Sequence, residues 1–446
     1  MLPEKLLPPE YTKTCILLNS ESPLSSSPMR TPTHLAALVL PLLLATAPLS
    51  SRAEDWPGFR GSDREDISKE TGLLKQWPAA GPSKVWVSQK AGLGYSGFSI
   101  VKGTLYTMGL NGDSEDLLAF DANTGDLKWS TPIGPVFTNK WGDGPRGTPF
   151  VDGERVYALS AQGFLLCANA ATGAALWTQP LKDFGGKPPG WGYTESVLVD
   201  GDLVLCTPGG AQGTMLALDK ATGKKVWQSE GWTDAAQYGS IVPATINGTK
   251  QYVALTMQNV GGVDAKTGKK LWLSPWAGRT AVIPTPVVRG NEVFIASGYG
   301  VGCKLVSVGA GDAPTDLWSN TNLINHHGGV VRVGDHLYGH SDKGGWTCLD
   351  WKSGEVRWAD KSLGKGALHC AGGMLYLLDE RDGSVVLADA AETGWKEHGR
   401  FKLDPQTTQR KPDGRIWTHP VVSNGKLYLR DQELLFCYDV SEKAGR

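Results

Sequence analysis

The sequence lacks an excess of charge of either sign. It contains 44 Lys and Arg residues against 45 Asp and Glu residues, and its formal net charge is −1. Proteins that bind nucleic acid usually present a basic surface to the phosphates. The charge balance therefore predicts that nucleic acid is not a partner.

Long apolar runs are also missing, apart from one stretch over residues 35–49 that proline interrupts. This stretch is shorter than the roughly 20 residues that a membrane-spanning helix needs. Arg30 precedes it, and the small residues Ser51 and Ala53 follow it at the spacing of a cleavage site. Residues 29–53 are therefore predicted to be a secretory signal peptide, which implies a periplasmic or secreted protein without a transmembrane span.

Residues 1–28 are an unusual leader for a signal peptide, since they are polar, rich in Pro and Ser, and contain three acidic residues. We interpret them as an upstream start-site error, with Met29 as the true start. The mature chain would then comprise an N-terminal extension over 54–83, a folded domain over 84–440 and a short tail over 441–446.

Motifs of common catalytic and metal sites are absent. The sequence has no Cys-x-x-Cys, no His-Glu-x-x-His and no Gly-x-Ser-x-Gly, and none of its seven cysteines is adjacent to another. Cys167, Cys348 and Cys437 each stand two residues before a recurring Asn or Asp. We therefore expect buried free thiols at one repeated core position rather than disulfides.

Glycine and tryptophan are abundant, with 57 and 17 residues. Short runs of strand-forming residues such as Leu203-Val204-Leu205 alternate with glycines, and the 3.6-residue apolar period of helices is not sustained. This pattern is typical of an all-β protein with many tight turns.

One motif recurs along the chain, with Asp121 at its start, Thr124-Gly125 in a turn and Trp129 at its end. The starting positions of all copies, including two weaker ones at 308 and 389 and a truncated one at 439, are 121, 169, 219, 264, 308, 350, 389 and 439. In the copy that starts at Asp389, we expect Phe401 to replace the Trp. Steps of about 40 to 50 residues are the period of a four-stranded propeller blade.

The last copy lacks its outer strand, whereas Lys84-Val85-Trp86-Val87 has the pattern of an outer strand without inner strands before it. Pairing of the two would close a ring and leave no free edge between its ends. The sequence thus predicts an all-β, eight-bladed β-propeller with four-stranded blades, closed by an N-terminal outer strand.

The repeat Ala-x-Asp-x-x-Thr-Gly-x-x-x-Trp resembles the PQQ-like repeat of eight-bladed quinoprotein dehydrogenases and of BamB-like lipoproteins, over nearly all of 84–440. The segments 55–61, 144–149 and 325–329 resemble those of exported PQQ-like proteins of Planctomycetes-type bacteria. The resemblance implies either an enzyme that holds pyrroloquinoline quinone (PQQ) with Ca²⁺ or a propeller that holds no cofactor. Quinoprotein alcohol dehydrogenases usually place a vicinal disulfide against the quinone, and BamB is anchored through a Cys at its cleavage site; this sequence has neither.

The repeated Asp, Thr and Gly residues are interpreted as turns, with the Trp wedged between neighbouring blades. Functional side chains are expected in the loops between blades, which emerge on one face around the channel. These loops supply Tyr95, Trp141, Asp143, Arg146, Trp191, Tyr193, Glu195, Trp232, Tyr238, Trp276, His326, His327, Trp417 and His419. The ligand-binding candidates among them are Arg146, Tyr193, Glu195, Tyr238, His326, His327, Trp417 and His419.

Glu195 is the first candidate, because it leads into an inner strand and could aim its carboxylate into the channel. There it could pair with Arg146 or ligate Ca²⁺. Asp143 is the other candidate carboxylate, although Ca²⁺ takes six to eight oxygens. His326 and His327 are neighbours in an extended segment, so we expect one to face the channel and the other to be packed.

We therefore predict an exported, monomeric propeller that serves as a binding scaffold for a small molecule or for an envelope protein or peptide. The first alternative is a PQQ- and Ca²⁺-dependent alcohol or sugar dehydrogenase. The resemblance would then make Glu195 a metal ligand and Arg146 a quinone-binding residue. The second alternative is an outer-membrane protein assembly factor.

Overall fold

The protein is described by a computed structural model over residues 54–311 and 313–445. The predicted leader (1–28) and signal peptide (29–53) lie outside these residues and stay predictions. The described residues form eight sheets, each built on four antiparallel strands, which confirms the predicted all-β eight-bladed propeller. Their only helices are the 3-10 turns Leu181–Phe184 and Glu442–Gly445, and no helix among them is long and apolar enough to cross a membrane.

Two strands precede the first complete blade, β1 (Ile67–Ser68) and β2 (Ser83–Ser88). Blade 1 contains β3 (Ser99–Val101), β4 (Thr104–Asn111), β5 (Ser114–Asp121) and β6 (Leu127–Pro135). Blade 2 contains β7 (Phe150–Asp152), β8 (Arg155–Leu159), β9 (Phe164–Asn169) and β10 (Ala175–Pro180). Blade 3 contains β11 (Leu198–Asp200), β12 (Leu203–Cys206), β13 (Leu216–Asp219) and β14 (Lys225–Gln228). Blade 4 contains β15 (Val242–Ile246), β16 (Thr249–Leu255), β17 (Asn259–Asp264) and β18 (Lys270–Pro275).

The second half of the ring follows the same order. Blade 5 contains β19 (Val287–Arg289), β20 (Glu292–Ser297), β21 (Gly302–Ser307) and β22 (Thr315–Asn320). Blade 6 contains β23 (Val330–Val333), β24 (His336–Ser341), β25 (Gly345–Asp350) and β26 (Val356–Asp360). Blade 7 contains β27 (Gly366–Ala371), β28 (Met374–Asp379), β29 (Ser384–Asp389) and β30 (Glu397–Lys402). Blade 8 contains β31 (Val421–Ser423), β32 (Lys426–Asp431) and β33 (Leu434–Asp439).

The ring closes in blade 8, where β2 supplies the outer strand. It pairs antiparallel with β33, and Trp86 lies opposite Cys437. The predicted closure by an N-terminal outer strand is therefore confirmed.

The repeated motif forms the predicted turn. In blade 3, the Asp219 carboxylate accepts hydrogen bonds from the main-chain N–H groups of Ala221 (3.1 Å) and Thr222 (2.8 Å), and Gly223 has a φ of 70°. A Cβ atom at Gly223 would lie 2.8 Å from the indole of Trp177 in the preceding blade. Only glycine fits both the conformation and the contact. The turn glycines of blades 1, 2, 4 and 6 likewise lie against the Trp of the preceding blade, whereas Gly311 in blade 5 and Gly394 in blade 7 have no neighbour within 4 Å.

The cysteines are also as predicted. The six cysteines of the described residues are buried and form no disulfide. Cys167 lies on β9 between Tyr157 of one neighbouring strand and Trp177 of the other. It therefore occupies the small core position that the repeat indicated.

Two weaker copies of the motif differ from the prediction in register. In blade 5, Trp318 faces Leu305, so the Asp position is Ser307 rather than Val308. In blade 7, the residue that faces Leu387 at the Trp position is Gly399, not Phe401. The expectation that Phe401 replaces the Trp is therefore wrong.

Trp77 fills the gap that Gly399 leaves in blade 7. Its main-chain N–H donates to the carbonyl of His398 at 2.8 Å, and a Cβ atom at Gly399 would lie 2.5 Å from Trp77 Cβ. The missing indole is thus supplied by the N-terminal extension, from outside the repeat.

The first described residues, 54–70, cross the channel axis, and we call them the axial segment. They contact inner strands or their entries on opposite sides of the ring, in blades 1, 2, 3, 6 and 7. The contacts are Trp56 with Ile100, Pro57 with Val151, Arg64 with Ser196, Arg60 with Val330, and β1 with β27. The central channel is therefore not an open pore.

Candidate functional site

A cavity of about 240 Å³ lies above the axial segment, surrounded by the loops between consecutive blades. Its walls are aromatic, and its floor is formed by the axial segment. The wall rings are Tyr95, Trp141, Trp191, Tyr238, Tyr299 and Trp417, and the floor residues are Trp56, Phe59, Arg60 and Asp66. The loops therefore converge on one face.

The structure brings most of the sequence candidates together. Six of the eight ligand-binding candidates line the cavity, namely Arg146, Tyr238, His326, His327, Trp417 and His419. The remaining two, Tyr193 and Glu195, lie behind its wall. The site role of the six lining residues stays a prediction.

Glu195 does not face the cavity. Its side chain is 1% exposed, and its Oε2 accepts a hydrogen bond from the N–H of Thr207 at 2.6 Å. Burial raises the pKa of Glu195 to about 7, against hydrogen bonds from Thr207 and the charge of Arg64. The expectation that its carboxylate points into the channel is therefore wrong, because Ser196 takes the cavity-facing position and the alternation of an extended chain turns Glu195 away.

Arg146 is not paired with Glu195 either. Its guanidinium donates to the carbonyls of Gly142 (2.8 Å) and Gly144 (2.7 Å) in its own loop. It also lies 5.3 Å from the ring centroid of Tyr95. Arg146 thus stabilises the loop that forms this part of the cavity wall.

Tyr193, Trp232 and Trp276 belong to the core rather than to the cavity. Tyr193 is 1% exposed, and its hydroxyl donates to the carbonyl of Pro208 at 3.1 Å. Trp276 donates through Nε1 to the hydroxyl of Ser297 at 3.0 Å. Other residues of the same loops, such as Trp191 and Tyr238, do line the cavity.

The two carboxylates considered for Ca²⁺ do not form a metal site. Asp143 accepts from the Lys411 ammonium at 2.7 Å and from the N–H of Asn139 at 2.9 Å, whereas Glu195 is bonded to Thr207. Within 54–311 and 313–445, no group of three or more His, Cys, Asp or Glu side chains has the geometry of a metal site. Neither of the two carboxylates considered for Ca²⁺ therefore offers it a ligand in the cavity.

Both histidines of the His326-His327 pair line the cavity, so the expectation that one is packed away is wrong. The Lys365 ammonium lies 2.7 Å from His326 Nδ1, and Tyr299 Oη lies 2.7 Å from His326 Nε2. Since an ammonium can only donate, Nδ1 accepts and Nε2 donates to Tyr299. Burial, followed by the charge of Lys365, lowers the pKa of His326 to about 4, which keeps the ring neutral.

Asp66 is the centre of a buried polar cluster in the floor. One carboxylate oxygen lies 2.9 Å from His369 Nδ1, and the other lies 3.7 Å from Arg60 Nη1 and 3.8 Å from His419 Nδ1. Burial raises the pKa of Asp66, but hydrogen bonds with His369 and His419 and the charge of Arg60 outweigh it and lower the pKa. The floor charges are therefore paired within the protein.

Sequence reasoning missed the floor altogether. Arg60, Arg64 and Asp66 adopt left-handed conformations with φ between 56° and 64°, which non-glycine residues seldom do. Such strain persists only where surrounding contacts hold it. The signal that could have found the floor was the Trp-Pro-Gly-Phe-Arg-Gly run at 56–61, which was noted only as a resemblance.

Residues 80–360 match the family described as outer membrane protein assembly factor BamB. The chain belongs to this family. BamB of Burkholderia pseudomallei is 27% identical over 303 residues, which cover 58% of this chain and 74% of that protein. A quinoprotein ethanol dehydrogenase of Pseudomonas aeruginosa is 24% identical over 371 residues, covering 69% of this chain and 58% of that protein.

Solved structures show the same fold. The crystal structure of BamB from Moraxella catarrhalis superposes with a TM-score of 0.58 at 16% identity, covering 80% of this chain and 99% of that one. The proteins similar to this chain thus include outer membrane protein assembly factors and a quinoprotein ethanol dehydrogenase. The site itself must decide between these roles.

Proposed function

We propose that this member of the BamB family is a binding propeller of the cell envelope, which holds a ligand in its axial cavity. The observation that carries the proposal is the set of groups around the cavity. Aromatic rings form the walls, and the polar groups of the floor are bonded to one another. Ligand pockets typically combine such apolar walls with a few fixed polar groups.

A PQQ- and Ca²⁺-dependent dehydrogenase receives less support from the same residues. Such an enzyme needs oxygen ligands for Ca²⁺ next to the quinone. Here Glu195 is directed away from the cavity and Asp143 is bonded to Lys411. The sequence also has no adjacent cysteines.

An envelope location is part of the proposal. The predicted signal peptide over 29–53 and the BamB relatives both support it. The family match also favours a second candidate function, assembly of outer-membrane proteins, in which the loops around the cavity would contact an exported polypeptide.

A thermal-shift screen tests the proposal. Purified protein is screened against small molecules and against peptides of exported β-barrel precursors, together with the variants Trp191→Leu and Trp395→Leu. Trp191 lines the cavity, whereas Trp395 is a half-buried Trp outside it and is a matched control. We expect ligands that stabilise the wild type and Trp395→Leu but not Trp191→Leu. If every stabilising ligand acts equally on Trp191→Leu, the cavity is not the site.

A further inference from the structure

Four hydroxyl side chains occupy one repeated position, two residues before the inner strand of blades 2, 3, 4 and 5. They are Thr148, Ser196, Ser240 and Thr285, and all four line the cavity. We call them the hydroxyl arc. Each is at most 6% exposed.

The main chain holds the arc in place. The N–H of Thr148 donates to Ser196 Oγ at 2.9 Å, that of Ser196 to Ser240 Oγ at 3.0 Å, and that of Ser240 to Thr285 Oγ1 at 3.2 Å. A hydroxyl has one proton to donate besides its acceptor lone pairs. None of the four hydroxyls donates to an acceptor within 54–311 and 313–445, so the arc offers a row of buried O–H donors.

His327, which also lines the cavity, supplies a different polar group. Its side chain is 9% exposed, its Nε2 lies 3.3 Å from Glu380 Oε2, and its Nδ1 has no hydrogen-bond partner among the described residues. Burial, together with the neighbouring His326 and Lys365, lowers its pKa, so the ring is neutral. A neutral imidazole has one donor and one acceptor. Because Nε2 faces the Glu380 carboxylate, Nδ1 is the acceptor that remains for a ligand.

The walls add aromatic ring faces to these polar groups. Trp141 and Trp191 are half-buried, and the ring centroids of Trp191 and Tyr238 lie 5.7 Å apart. The two cavity guanidiniums are occupied, Arg146 by its own loop and Arg60 by Val330 and Asp66. Arg60 is thus paired with a carboxylate, whereas Arg146 is held by main-chain carbonyls and forms no ion pair among the described residues.

We infer that the cavity binds a neutral pyranose ring of a saccharide, an inference that rests on the proposed function. The hydroxyls of a pyranose both donate and accept, which matches the hydroxyl arc and His327. Its C–H faces are apolar and pack against aromatic rings such as Trp191. A planar quinone that carries carboxylates lacks these hydroxyls. A peptide backbone lacks a ring with hydroxyls at its edge and apolar C–H faces.

Isothermal titration calorimetry tests this inference with four neutral probes: cellotriose, maltotriose, mannotriose and the trimer of N-acetylglucosamine. The variants are Thr285→Val, which removes one O–H of the arc at constant shape, and Trp141→Leu, which removes a half-buried ring. Thr347→Val is the control, because Thr347 is buried and donates to the carbonyl of Gly345 outside the cavity. Thermal unfolding of each variant verifies that it folds.

We expect at least one trisaccharide to bind, with affinity about tenfold lower in Thr285→Val and in Trp141→Leu and unchanged in Thr347→Val. Equal affinity in all variants would overturn the inference. If no trisaccharide binds but other ligands from the thermal-shift screen still require Trp191, the saccharide inference fails and the proposed function stands. If no ligand of any class requires Trp191, both fail.

Discussion

The guanidinium of Arg60 donates a 2.8 Å hydrogen bond to the main-chain carbonyl of Val330, although 270 residues separate the two in the chain. The same side chain donates through Nε to the carbonyl of Arg64 at 3.0 Å. Arg60 thus ties the axial segment to blade 6 and at the same time fixes the local bend of that segment. This buried cation is therefore one of the contacts that hold the floor of the cavity and close the channel.

Replacement of Arg60 by Met should lower the free energy of unfolding by about 3–5 kcal/mol, because Asp66 and the carbonyl of Val330 would lose a buried charged partner. Urea unfolding followed by tryptophan fluorescence measures this. Arg289→Met is the control, since Arg289 forms an exposed ion pair with Asp335 and should cost less than about 1 kcal/mol. Equal losses in the two variants would contradict the described role of the axial segment.

Trp77→Ala should destabilise the protein by about 3–5 kcal/mol, since the indole is buried and fills the place that Gly399 leaves in blade 7. We expect Trp129→Ala, which removes a blade's own Trp, to cost a similar amount. Thermal or denaturant unfolding of both variants provides the comparison. A loss below about 1 kcal/mol in Trp77→Ala alone would show that the extension does not complete blade 7.

Glu195→Gln should change the pH dependence of stability. Burial raises the pKa of Glu195 to about 7, from about 4.5 for an exposed glutamate. Between about pH 4.5 and pH 7, this carboxyl group is ionised in the unfolded chain but protonated in the folded protein. The folded wild type therefore loses stability as pH rises through this range. Gln carries no proton to lose, so the stability of the variant relative to wild type should rise over this window by up to about 3 kcal/mol.

Chemical unfolding at pH 4.5, 6 and 8 measures that difference. Glu355→Gln, at an exposed position, should leave the pH profile unchanged. If the stability of wild type and of Glu195→Gln changed with pH in parallel, the raised pKa of the buried Glu195 would be contradicted.

The six described cysteines should not react with a thiol reagent in the native protein. All six are buried, and burial raises the pKa of thiols such as Cys206 well above the ordinary value. The reactive species is the thiolate, so both access and ionisation are blocked. We expect no labelling under native conditions and six labelled thiols after unfolding of a protein that begins at residue 54. Rapid native labelling would contradict the repeated core position of Cys167, Cys348 and Cys437.

The sequence allowed the propeller to be predicted because its signals are local. Asp219, Gly223 and Trp227 lie within nine residues and form one turn and one strand. The loops between blades were predicted for the same reason, since they interrupt the repeat at regular intervals. Their convergence on one cavity follows from the ring.

The floor could not be predicted in this way. The contacts of Arg60 with Val330 and of Arg64 with Ser196 span more than a hundred residues and exist only once the ring is closed. The two errors in the site have a common origin in the alternation rule for extended chains. The rule holds for Glu195 and Ser196, but the prediction for Glu195 did not use it. The prediction for His326 and His327 did use it, although these residues lie outside the strands.

The axial cavity, as we propose, is a binding site built without a Ca²⁺-quinone centre. The most direct test is a titration of purified protein with PQQ in the presence and absence of Ca²⁺, followed by tryptophan fluorescence and by dye-coupled alcohol oxidation. We expect no Ca²⁺-dependent saturable quenching and no turnover up to high micromolar PQQ. Saturable, Ca²⁺-dependent quenching accompanied by alcohol oxidation would contradict the account and make the protein a quinoprotein dehydrogenase.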